Sequence, residues 1–317
     1  MVNRILIRLK VVQVLYSYLI THDSDTRIDP EQIVLAKNTI ATSLDKAYAL
    51  YLTLLQLIRD ITALQEQRLE NAKAKHLPTR EDLNPNTRFI DNALVGYLNV
   101  HQQFEDLCQE YKVGPEPVGS VLVKALLDKI VASGLYKEYM EAPSTSFEAD
   151  IEFWREAMKQ IILPSDELAE ELEDKSIYWN DDFQVMGTFT LKWLRMASKS
   201  EGVAIDLLPK FKDAEDAAFG SELMLYVIRN YDTYRGYIDR FIDPQHWSAD
   251  RLAFMDVVIM LTAIAEIINY PAIPVPVSVN EYVEIANNYS TTSSGSFING
   301  ILFSVVKYLN REDIINK

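Results

Sequence analysis

Apolar residues recur at spacings of three and four along almost the whole chain, which restricts the fold to packed helices. Residues 2–20 contain no Gly or Pro, and Ile5, Leu9, Val12, Tyr16 and Leu19 share one helical face. A second helix is predicted from Asp29-Pro30, an N-cap followed by Pro at the first helical position, to about Lys75. Its apolar positions, among them Ile33, Ile40, Leu44, Tyr51, Ile58 and Ile61, keep the same alternation. So long a helix calls for an antiparallel partner, predicted at 87–112 and stopped by Gly114-Pro115. Further helices are expected at 119–140, 147–163, 165–175, 182–199, 216–243, 248–270, 278–289 and 295–310. Ile273 to Pro276 reads as an extended connector, and Ser278 to Glu281 as a capping box. The expected fold class is all-α. With 10 Gly in 317 residues, a β-sandwich or a Gly-rich nucleotide-binding fold is disfavoured.

The chemistry of catalysis is thinly represented. The four His (His22, His76, His101, His246) are scattered, so no zinc-ligand spacing exists, and no metal site is expected. There is no phosphate-cradling Gly-rich loop, nucleophile elbow or H-E-x-x-H pattern, and neither an enzyme activity nor a cofactor is expected. The single Cys108 fits a reduced, cytoplasmic setting. Lys10 and Gln13 interrupt the apolar N-terminal run, which argues against a signal peptide, and no membrane association is expected.

A net charge of −15 argues at first against a nucleic-acid partner. Its distribution changes that. Residues 141–182 hold thirteen acidic side chains against three basic ones, while residues 1–20 have no acid. Paired carboxylates in the acidic window, such as Asp181-Asp182, read as a solvated helix face. In the first helix Arg4 and Arg8 lie one turn apart and can reach one surface line, where phosphates would pair with them. Lys10 lies on another side. From spacing alone, the simpler reading is that these bases keep an apolar helix soluble.

Two blocks of sequence resemble the NusB family of transcription antitermination factors. The first runs from Arg4 to Tyr18, where Gln13, Leu15 and Tyr16 match the family's Gln-x-Leu-Tyr motif. The second runs from Trp247 to Leu302 and includes Asp250, Asp256, Glu266 and Pro274. It also holds Asn280-Glu281-Tyr-Val283-Glu284-Ile-Ala286 and Phe297-Ile-Asn299-Gly300-Ile-Leu302. The resemblance implies two small helical bundles packed together, formed by 1–20 and 216–317. Residues 21–215 would then be a large helical insertion, acidic at 141–182. It also implies an RNA-binding factor that acts with the ribosomal protein NusE on boxA-type single-stranded RNA of ribosomal transcripts, in the RNA polymerase antitermination complex. Under this resemblance Arg4, Arg8, Lys10 and Gln13 are the RNA-binding candidates. Asp256 and Asp250 fall where the family turns acids toward NusE.

The chain departs from the family at basic positions. Ile5 and Leu6 stand where consecutive Arg are common, and Leu261, Asn287 and Ser296 replace other bases. Each missing phosphate contact lowers affinity and flattens its salt dependence. The expected RNA binding is weak and partner-dependent. The alternative is an acidic helical adaptor that binds proteins and has lost most RNA affinity. Asn280 and Glu281 also have a plain reading as helix caps, Asn299-Gly300 as a site of close helix approach, and Phe297 as core.

Overall fold

The computed structural model describes residues 2–22, 26–115, 117–200, 206–242 and 252–316. Among them every regular element is helical. The first half holds α1 (Arg4–Thr21), α2 (Pro30–Lys73), α3 (Arg80–Leu83), α4 (Ala93–Val100), α5 (Gln102–Glu110), α6 (Ser120–Val131) and α7 (Gly134–Glu141). Then come α8 (Phe147–Ala157), prolonged by a π-helical turn over Met158–Ile162, α9 (Asp166–Lys175) and α10 (Asp182–Ser198). The last third holds α11 (Ala214–Arg229), α12 (Tyr231–Asp239), α13 (Phe254–Asn269), α14 (Val275–Tyr289) and α15 (Ser294–Arg311).

The chain divides into two compact units, one formed by Asp45–Lys210, the other by Val2–Leu44 with Phe211–Lys317. In the first unit, Phe89 sits among Tyr136, Phe153 and Trp154 with ring centroids 5.4 to 5.8 Å apart. Beside them Asp150 is buried and fully engaged: it accepts from Tyr139 Oη, Thr145 Oγ1 and the amide of Ala93 at 2.7 to 2.8 Å. Asp182 is also buried, at the first turn of α10, where the helix dipole favours a carboxylate. The solvated-face reading of the acidic window therefore fails at these two positions.

In the second unit α13 lies at the centre and packs on α1, α11, α12, α14 and α15. Every residue from Asp256 to Ile267 is buried. A helix apolar all round must be enclosed on all sides, and each buried Val, Ile or Leu is worth about 1.5–3 kcal/mol.

Several expected helices are broken. The stretch 87–112 is two short helices joined at His101, whose Nδ1 accepts from the amide of Phe104 at 3.1 Å. The long helix is met from several elements instead: Arg59 bonds to Asn99 and Glu105, Arg68 to Asp128, and Tyr51 packs on Phe189. The helices expected at 119–140 and 216–243 are interrupted at Ser133 and Asn230. α14 starts at Val275, with Pro276 in its first turn, so the connector is shorter than expected. Only part of the helix expected at 248–270 lies within the described residues. By length and composition Pro30–Lys73 could cross a membrane, but its most apolar stretch is largely buried inside the protein.

Candidate nucleic-acid interface

α1 is opened by Asn3, whose Oδ1 accepts from the amide of Leu6 at 2.9 Å. One turn in, Arg4 donates to Asp216 at 2.6 Å and Glu215 at 2.8 Å, near the start of α11. Its guanidinium lies 5.0 Å from the Phe219 ring centroid, and its side chain keeps 25% exposure. Arg8 does not reach the surface line expected of it. Both it and Glu266 of α13 are buried, and they form a two-pronged pair with both contacts at 2.8 Å. Ser278 and Tyr282 of α14 donate to the same carboxylate at 2.7 and 2.9 Å. Glu266 thus accepts four hydrogen bonds, and Glu281 stands 3.8 Å from Arg8.

The electrostatics follow from this enclosure. Burial works against the Arg8 charge, but the hydrogen bond and charge of Glu266 outweigh it, and the net shift is upward. Burial pushes the Tyr282 phenol well above its ordinary value, and the neighbouring Glu266 charge adds to the rise. Ser278 is spent on Glu266, so the expected capping box is not what starts α14.

The other candidates are dispersed. Lys10 is buried, as is every residue of α1 from Leu6 to Val12, and Gln13 is half-buried. The expectation of a solvent-facing Lys10 is therefore corrected along with that of Arg8. Asp256 is 5% exposed and accepts from Ser290 at 2.5 Å and Ser294 at 3.0 Å, holding the turn between α14 and α15. With Ala253, Thr291, Ser293 and Phe297 it lines a cavity of about 210 Å3, so Phe297 is half-exposed at a rim and not core. Asp250 lies outside the described residues. Gly300 is exposed and an added Cβ would meet nothing within 4 Å, so Asn299-Gly300 is not a site of close helix approach. Gly220 is such a site, with Ile7 Cγ2 2.9 Å from the position of an added Cβ.

Sequence reasoning missed the group at the end of α12 and on α15 in which Arg240, Lys307 and Arg311 lie over aromatic rings. The signal was present as Phe303, Lys307 and Arg311, spaced four apart on one helical face. Among the described residues no cluster of His, Cys, Asp or Glu could hold a metal ion.

Taken together, these features define an all-helical protein whose first helix is fastened to a C-terminal bundle by a buried Arg–Glu pair. The NusB family profile matches residues 195–307. A protein of Geotalea daltonii called transcription antitermination protein NusB is 32% identical over 143 residues, 44% of this chain and 92% of that protein. One of the same name from Desulfatibacillum aliphaticivorans is 38% identical over 118 residues, 36% of this chain and 80% of its own. The chain belongs to the NusB family. It spans about half the length (48 to 54%) of the relatives it matches in Methylacidiphilum infernorum, Natranaerobius thermophilus and Acetivibrio thermocellus. No solved structure matches it.

Proposed function

We propose that this protein is an RNA-binding transcription antitermination factor of the cytoplasm. It acts with NusE on boxA-type RNA in ribosomal transcripts, as part of the RNA polymerase antitermination complex. The observation that carries this reading is the relationship to the Geotalea daltonii protein, of which the chain covers 92%. Residues 1–20 and 216–317 are the family core, and 21–215 an insertion whose first stretch, 26–44, packs in the same unit as α1.

Within α1, Arg4 and Gln13 are the groups that reach RNA, whereas Arg8 and Lys10 hold the helix in place. Asp256 and Asp250 are the proposed contacts for NusE, through which negative charge would steer a basic partner. Because Asp256 also holds the α14–α15 turn, its role is tested with Asp256→Asn, which keeps the size and one accepting oxygen while removing the charge. That variant should pull down less NusE at a temperature where circular dichroism shows it fully folded, and an undiminished pull-down removes Asp256 from the interface.

A second reading, an acidic adaptor with little RNA affinity, is favoured by the engagement of Arg8 and Arg4 with carboxylates. Titrating boxA RNA with this protein, with NusE and with both separates the two. Binding by the pair that is tighter than by NusE alone supports the antitermination factor. No gain over NusE alone leaves the adaptor.

A further inference from the structure

The RNA reading leaves a physical problem, since the cations of α1 are buried or already paired. Another surface of the same unit supplies what α1 lacks. On α15, Phe303 is 59% exposed, with the Lys307 ammonium 4.4 Å from its ring centroid. One residue on, Tyr308 carries the Arg240 guanidinium at 4.3 Å and that of Arg311 at 5.5 Å. Tyr237 and Phe241 pack against Tyr308 with centroids 5.8 and 6.2 Å away.

Two acids of this region are engaged by other cations or shared. Asp239 is held by Arg235 at 2.8 Å and Glu312 by Arg311 at 2.8 Å. Among the described residues neither Arg240 nor Lys307 has an ion-pair partner, and both are exposed. Lys307 beside the exposed Phe303 ring, and Arg240 over the half-exposed Tyr308 ring, suit a particular ligand chemistry. A single-stranded nucleic acid offers phosphates to the cations and an unpaired base face to the ring. A duplex hides its base faces, and an acidic protein has none to stack.

The geometry points to Phe303, Lys307, Arg240 and Arg311 as a single-stranded RNA contact surface on α15 and the end of α12, distinct from α1. This rests on the RNA-binding reading above and gives it a location. Phe303 is the stacking platform, and Lys307 and Arg240 neutralise the flanking phosphates. Arg311, shared with Glu312, contributes less.

The test is fluorescence anisotropy with a short labelled single-stranded boxA RNA and the same sequence as a duplex, over a salt series. It is run with and without NusE. Phe303→Ala should weaken single-strand binding about tenfold and leave duplex binding unchanged. Arg240→Gln/Lys307→Gln should lower the log–log salt slope by about 1.4, at about 0.7 per contact on single strands. All these side chains lie at the surface, so melting temperatures should match the wild type. If these variants bind as the wild type does while Arg4→Gln loses affinity, the surface is wrong and the RNA reading stands. Equal losses on single strand and duplex in Phe303→Ala overturn the stacking role. If the unaltered protein adds nothing to RNA binding even with NusE, the RNA reading falls and this surface with it.

Discussion

Arg8 has exchanged water for the Glu266 carboxylate and the face of Phe219, whose ring centroid is 5.7 Å from its guanidinium. Its pair with Glu266 joins α1 to α13, and Ser278 and Tyr282 tie the same carboxylate to α14. Breaking such a pair by removing one partner leaves a buried charge uncompensated, which costs about 3–5 kcal/mol. Arg8→Ala should lower unfolding free energy in denaturant titrations by that order, and Ser278→Ala by only about 1–3 kcal/mol. An Arg8→Ala variant as stable as the wild type would show that the pair is not a structural tie. Both partners were visible in the sequence, Arg8 as a basic residue of the first helix and Glu266 as the acid within the most apolar stretch. Their pairing was not, because 258 positions separate them and one sequence says nothing about long-range proximity. Spacing placed Arg4 and Arg8 on one side of α1 correctly. Whether that side met solvent depended on where α11, α13 and α14 came to rest.

At the scale of elements, two glycines make opposite predictions. An alanine Cβ at Gly220 of α11 would lie 2.9 Å from Ile7 and 3.3 Å from Ile40, both buried. Gly220→Ala should therefore destabilise by about 1–3 kcal/mol through overpacking. Gly300, on the exposed side of α15, has open space around it, and Gly300→Ala should stabilise by up to about 1 kcal/mol from helix propensity. Thermal melts of the two variants check this; a Gly220→Ala protein that melts no lower than the wild type would contradict the packing of α11 on α1. Helix character was legible nearly everywhere from the three-four spacing of apolar residues. The breaks at His101, Ser133 and Asn230 were not, because a one-residue interruption hardly disturbs that spacing. At His101 and Ser133 the side chain itself caps the next helix, and both residue types also occur inside helices. The basic-aromatic group escaped for a related reason: α12 and α15 are far apart in sequence, and only packing brings Arg240 over Tyr308.

At the scale of the molecule, the acidic window belongs to the Asp45–Lys210 unit, and the family blocks lie in the other. The whole-chain charge therefore describes neither unit well. Both units bury phenols: Tyr51 in one and Tyr282 in the other keep their protons well above the ordinary 10.0, chiefly because burial disfavours the anion. The unfolded chain releases those protons near 10. Stability is thus fully present below pH 10 and falls as pH rises beyond it, by about 1.4 kcal/mol per pH unit for each phenol. Unfolding free energies measured from pH 8 to 12 should stay level and then drop, with tyrosinate absorbance rising as the fold is lost. Ionisation of all 17 tyrosines while the protein stays folded would mean that Tyr51 and Tyr282 are not enclosed. A family member with most of its α1 cations engaged is proposed to bind RNA through a few remaining contacts. The most direct test is the salt dependence of boxA binding by the protein and NusE together, set against NusE alone. The account predicts tighter binding by the pair, with a log–log slope steeper by about 1 to 3, as expected for a few single-strand phosphate contacts. Equal affinity and equal slope with and without this protein would contradict it.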